Sequence, residues 1–146
     1  MKSLLLLSLT WLLIGACQRG EHVLPENVAQ LVGTWQLREP ASPYPVTLQL
    51  ALDTANPPDD VTPFLTSGKS AVNTYSGRMS AALDGMMIVT RLSTTEMAGS
   101  TDAMQFEDVY FKNLKSVVRF DITSTNRLRL YFGTPQPGVL EFDKTQ

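Results

Sequence analysis

The chain is poor in the two residue types on which most hydrolytic and metal sites depend. Its 146 residues include one cysteine, Cys17, and one histidine, His22. A single cysteine excludes any internal disulfide, so the folded part must stand on packing alone. Ser–His and Cys–His nucleophilic mechanisms and most zinc sites lose their essential partners at the same time. His22 lies in a polar stretch just after Cys17, where nothing is expected to orient it. A dominant charge sign is also lacking. Twelve Lys and Arg against 14 Asp and Glu give a net charge of -2, and the basic residues are scattered. That excludes the electrostatic footprint needed for nucleic acid or an anionic membrane surface. Phosphate-binding loops are missing too: Gly68-Lys69-Ser70 is similar to the tail of one, but the position that must be glycine is Pro63. Asp53, Asn56, Asp59 and Asp60 crowd oxygens into one segment. Their spacing fits no EF-hand, and two adjacent prolines stiffen the segment, so a solvated acidic loop is expected. No pair of acids is singled out for glycoside hydrolysis. No catalytic residue, cofactor or metal site is therefore expected.

Long apolar runs are confined to one place. After Met1-Lys2 comes Ser3 to Gly15, SLLLLSLTWLLIG. It is too short for the ~20 residues of a membrane span and suits the apolar region of a signal peptide. It ends in Ile14-Gly15-Ala16-Cys17, which is similar to a lipobox. Small residues there let the extended backbone enter a signal peptidase, and the thiol takes a diacylglycerol before cleavage. A plain secretory signal with an incidental cysteine and an uncleaved anchor are the alternatives. That the sole cysteine occupies this one position favours lipidation. Residues 1–16 are therefore expected to be a lipoprotein signal, Cys17 the lipidated residue, and 17–30 a polar tether with one helical turn opened by Pro25. A lipid-anchored protein of the bacterial envelope is implied. Gln18, where an aspartate would retain the protein in the inner membrane, favours the outer membrane.

The remainder, 31–143, reads as one α+β domain. Val46 to Leu52 alternates cleanly, as do Val118 to Thr123 and Arg127 to Phe132. Thr34 to Arg38 and Val139 to Phe142 are shorter strands, and Phe64 to Gly77 is expected to be extended but irregular. Met79–Leu83 and Met86–Leu92 flank an Asp84-Gly85 turn. Asp102 to Lys115 is the one clear helix. Asp102 is the expected N-cap with Gln105 at N3, and Phe106, Val109, Tyr110 and Leu114 form its apolar stripe. Strict alternation implies one wet and one buried face. The expectation is a predominantly antiparallel, strongly curved sheet (a partial barrel) of about seven or eight strands. It packs with one α-helix placed before the last three strands.

The stretch from Gly68 onward resembles the META/HslJ-like domain of small bacterial lipoproteins and envelope proteins. That family reads as a glycine, then Gly-Cys-Asn-x-aromatic-x-Gly, then Thr-x-Met-Ala-Cys, a helix and closing strands. The corresponding residues are Gly68, then Ala71-Val72-Asn73-Thr74-Tyr75-Ser76-Gly77, then Thr95-Glu96-Met97-Ala98-Gly99. Tyr110, Leu114, Val117, Phe120 and Ile122 continue the pattern, followed by Leu128 and Leu130. Leu31-Val32-Gly33-Thr34-Trp35 matches its opening. The family's two motif cysteines, which often form a disulfide, are replaced together by Val72 and Gly99. The resemblance implies a scaffold and a compartment without an established enzymatic activity. Its members are associated with envelope stress, antibiotic tolerance or secretion. Asn73, Tyr75, Gly77, Thr95 and Met97 are the candidate binding or structural motif, and turn chemistry accounts for Asn73 and Gly77 without a ligand.

The function expected is that of a non-enzymatic interaction or envelope-stress module. It would be a monomer, attached to the membrane through its lipid, with an envelope protein of unknown identity as partner and no role for nucleic acid. The alternative is a lipocalin-like carrier of a small hydrophobic ligand, because Gly33-Thr34-Trp35 is also similar to the Gly-x-Trp opening of that family. A helix ahead of the last three strands argues against it.

Overall fold

The computed structural model describes residues 24–124, 126–133 and 136–145; Cys17, the signal segment and the tether up to residue 23 lie outside them. Eight antiparallel strands form one sheet in the order β5-β4-β3-β2-β1-β8-β7-β6. In chain order they are β1 (Gly33–Glu39), β2 (Thr47–Leu52), β3 (Thr62–Lys69), β4 (Thr74–Ala81), β5 (Met87–Thr94), β6 (Val117–Ser124), β7 (Arg127–Phe132) and β8 (Gly138–Lys144). The sheet curls until its edges nearly meet. Met86 bridges Arg119, and the Phe120 amide donates to the Gly85 carbonyl at 2.8 Å. The helix α2 (Thr101–Lys115) lies between β5 and β6 in sequence, so the curled sheet and its placement before the last three strands are as the sequence pattern implies.

Alternation explains the interior. Leu48 and Leu50 from β2, Phe64 from β3, Met79 from β4, Leu128 and Leu130 from β7 and Phe142 from β8 are fully buried around Trp35. Each such side chain contributes roughly 1.5–3 kcal/mol on burial. The indole of Trp35 donates to the Leu31 carbonyl at 2.9 Å, and the Lys144 ammonium stands 5.0 Å above its ring. The helical turn near Pro25 is present as α1 (Glu26–Ala29). Because Val28 is buried with the core, packing begins ahead of residue 31.

Four local expectations are corrected. Residues 64–77 are regular: β3 and β4 pair from Thr62↔Ala81 to Lys69↔Thr74, with a turn at 70–73. The N-cap of α2 is Ser100, whose hydroxyl accepts from the Ala103 amide, not Asp102. Of the stripe expected on α2, Tyr110 and Leu114 are buried and Phe106 packs against the core, joined by Ala103, Glu107 and Phe111, while Val109 is 56% exposed. In β6 a register shift between Val117 and Arg119 leaves Val118 out of the ladder and 52% exposed, so Val117 takes its place on the core face, beside Phe120 as alternation implies. A second shift lies between Ile122 and Ser124, and one opposite Arg78 and Met79 drops Thr90 from the register of β5, its hydroxyl donating to the Arg78 carbonyl at 3.1 Å.

Candidate functional site

The turn between β3 and β4, the segment after β5, and α2 meet at one end of the curled sheet. Asn73 occupies the last position of that turn and is buried. Its Oδ1 accepts from the Thr95 hydroxyl at 2.8 Å and from the Met97 amide at 2.7 Å. Its Nδ2 donates to Glu107 Oε1 and, more weakly, to the Met97 carbonyl at 3.4 Å. Glu107 Oε2 accepts from the amides of Val72 and Asn73 at 3.0 and 2.8 Å. The Thr95 hydroxyl in turn accepts from the Thr74 amide at 3.2 Å. One asparagine and one glutamate thus tie a turn, a strand exit and a helix together, and the bonds between them satisfy the polar groups of both buried side chains.

Glu107 is only 6% exposed. Burial pushes its pKa up, but the Asn73 side chain and the Asn73 and Val72 amides stabilise the carboxylate more, so it titrates below the ordinary value of 4.5. The stripe of Phe106, Val109, Tyr110 and Leu114 passes over this position because it counts apolar residues alone. The available signal was the spacing 103, 107, 110, 114, which places one acid within an otherwise apolar helical stripe.

Three of the expected motif residues, Asn73, Thr95 and Met97, come together. They border an open cleft of about 330 Å³ that Met104, Glu107 and Phe111 complete. Tyr75 and Gly77 lie apart from it. The Tyr75 hydroxyl donates to the Thr47 carbonyl at 2.7 Å and meets the Tyr110 hydroxyl at 2.8 Å. Burial raises the pKa of both phenols well above 10.0. Gly77 marks a close approach of strands, since a Cβ there would fall 2.0 Å from the Arg91 carbonyl oxygen.

The META domain family description matches residues 29–145 of the chain. The chain belongs to the META domain family. No curated protein matches it. Among solved structures, a protein from Burkholderia xenovorans is similar, with a TM-score of 0.59 at 24% identity, over 88% of this chain and 97% of that one. A second NMR structure has a TM-score of 0.53 at 17% identity, over 77% of this chain and 88% of the other. These likenesses show the fold. Within the META domain, the two positions at which the resemblance places cysteines are neighbours: a Cβ on Gly99 would fall 2.4 Å from Val72 Cγ2. The valine side chain occupies the space next to the glycine. Among the described residues, no group of three or more His, Cys, Asp or Glu is placed to hold a metal ion. No described helix is long and apolar enough to cross a membrane.

Proposed function

We propose that the chain is a non-enzymatic, lipid-anchored module of the bacterial envelope, attached through Cys17 and acting by interaction with another envelope protein. The observation that carries this reading is the disposition of the motif's polar groups. Both oxygens of Glu107 and both polar atoms of the Asn73 side chain are engaged with the protein's own backbone and side chains. A carboxylate held this way, with a lowered pKa, serves as a structural clamp; a general acid or base at neutral pH needs the opposite shift. Beside the clamp stand two exposed methionines, Met97 at 59% and Met104 at 43%, with Glu96 and Asp108 on the same cleft. Exposed thioethers suit an adaptable protein contact. The lipobox-like run at residues 14–17 supports the anchor. A carrier of small apolar molecules is the weaker reading, because Trp35, Phe64 and Phe142 fill the interior such a ligand would need.

The test is cross-linking of the lipidated protein in its own envelope, comparing the native chain with Met97→Glu. A reproducible protein adduct that the charge substitution removes supports the reading. Absence of any adduct at saturating cross-linker, or one indifferent to Met97→Glu, overturns the proposed surface. Separately, Cys17→Ser should move the protein out of the membrane fraction; unchanged fractionation refutes the anchor.

A further inference from the structure

Strand pairing places the chain's entry and the Asn73–Glu107 clamp at opposite ends of the sheet. Gly33 pairs with Leu50, Leu52 with Phe64, Thr62 with Ala81 and Ala81 with Met87, so these residues share one end. Thr47, Lys69, Thr74 and Thr94 share the other, beside the clamp. The eight residues of β3 separate the two ends by about 25 Å at the usual rise per residue.

The entry end has an apolar rim. Leu24, the first described residue, lines two adjoining clefts there. One is shared with Leu52, Pro57 and Pro63, the other with Val28 and Leu83, and Pro58 borders both. Leu83 is 66% exposed at the tip of the β4–β5 turn, and Val61 is 44% exposed in the β2–β3 loop. This tip is held in place: Asn27 Nδ2 donates to the Leu83 carbonyl at 3.0 Å, and Gly85 turns the backbone at φ +86°. The charges at the rim are Asp59 and Asp60, Asp53 paired with Arg78 at 2.7 Å, and Asp84, Asp121 and Arg119 in the cleft that Leu83 also borders.

We infer that this rim docks on the surface of the membrane that holds the Cys17 lipid, with a zwitterionic headgroup layer as its partner, so that the clamp end points away from the bilayer. The inference rests on the anchor reading of the preceding section. Its own argument is reach. Cys17 and Leu24 are seven positions apart in the chain, and seven residues span at most about 25 Å even when fully extended. The rim around Leu24 is therefore kept within that distance of the acyl chains, at a high effective concentration relative to the surface. Leu83, Val61 and the prolines offer apolar contact of the kind that settles at the headgroup boundary, and the aspartates select against an anionic surface.

The experiment uses the full lipidated protein in phosphatidylcholine vesicles, with an environment-sensitive dye on a single introduced thiol, since Cys17 is occupied by lipid. Leu83→Cys reports the rim and Glu96→Cys the clamp end. Flotation with the vesicles, blue-shifted emission at 83 that brominated lipid quenches, and water-like emission at 96 support the docking. Adding an anionic lipid should weaken the quenching at 83. Floating protein with position 83 in water overturns the docking and leaves the anchor standing. A blue shift at 83 without lipid quenching overturns it in favour of a second copy of this chain. Shielding at 96 overturns the orientation, and failure to float overturns the anchor and the docking with it.

Discussion

The contact between Val72 and Gly99 permits a decisive perturbation: Val72→Cys together with Gly99→Cys. A Cβ built on Gly99 lies 3.4 Å from Val72 Cβ, at the short edge of the roughly 3.5–4.5 Å found across disulfides. Val72 Cγ2 lies 2.4 Å from the same point, so Gly99→Cys alone collides with the valine and destabilises, while the double substitution replaces the colliding methyl by the bond. The bond closes a loop from 72 to 99, about 28 residues, and the chain-entropy relation assigns that closure about 3.5 kcal/mol. In a domain of this size that corresponds to a rise in Tm of roughly 10–20 °C. Thermal unfolding of the chain from Leu24 onward, oxidised and reduced, measures it directly, with thiol titration to confirm the bond. The oxidised form should melt well above the reduced form, and the native chain should be indifferent to reductant. If the two thiols do not pair, or pair without raising Tm, the placement of turn 70–73 against the post-β5 segment is wrong.

Glu107→Gln keeps the size but faces an amide group toward donors. It should cost about 2–3 kcal/mol in denaturant unfolding, as expected for losing charge-assisted bonds to buried amides. Because the native carboxyl titrates below its ordinary 4.5, its stabilisation is complete above that pH and is lost as pH falls through the native value. The acid limb of stability should therefore flatten in Glu107→Gln; an unchanged limb would contradict the clamp. Tyr75 and Tyr110 have raised pKa values, so their contribution is complete below pH 10.0 and declines as pH rises beyond it, when unfolded phenols ionise. Tyr75→Phe and Tyr110→Phe should each cost about 1 kcal/mol and be non-additive in a double-mutant cycle, since their hydroxyls share one bond. Full additivity argues that the two hydroxyls do not meet. Gly77→Ala drives a methyl to 2.0 Å from the Arg91 carbonyl and should lose about 3 kcal/mol or more by calorimetry. A neutral result would mean that β4 and β5 do not approach as described.

Much of the fold was legible because alternation is a local signal. Val46 to Leu52 and Arg127 to Phe132 each carry it without interruption, and their strands fall where the pattern puts them. It failed where the backbone departs from period two. The hairpin of 62–81 was obscured because Gly68, Lys69 and Gly77 interrupt the apolar positions; Gly68 and Gly77 are there for close backbone approaches, which hydrophobic patterning does not encode. The bulge at Val118 put Val117 in its place on the core face while Phe120 and Ile122 stayed where alternation puts them, and no residue type announces it. The candidate motif was legible from the family's ordered residues, yet its centre was not. Glu107 is a charged residue whose burial becomes intelligible only once Asn73 and Val72 are known to face it across 34 or more positions of chain.

The sheet stops short of closure, so β5 and β6 each keep an outer edge. In β5 the ladder skips Thr90, and in β6 it skips twice, at Val118 and again between Ile122 and Ser124. A visiting strand needs an unbroken row of evenly spaced donors and acceptors, and these interruptions cut each row into pieces of a few residues. The molecule thus gains resistance to stacking edge to edge into fibrils without completing the barrel. Interrupted rows on β5 and β6 thus do by irregularity what full closure would do by pairing.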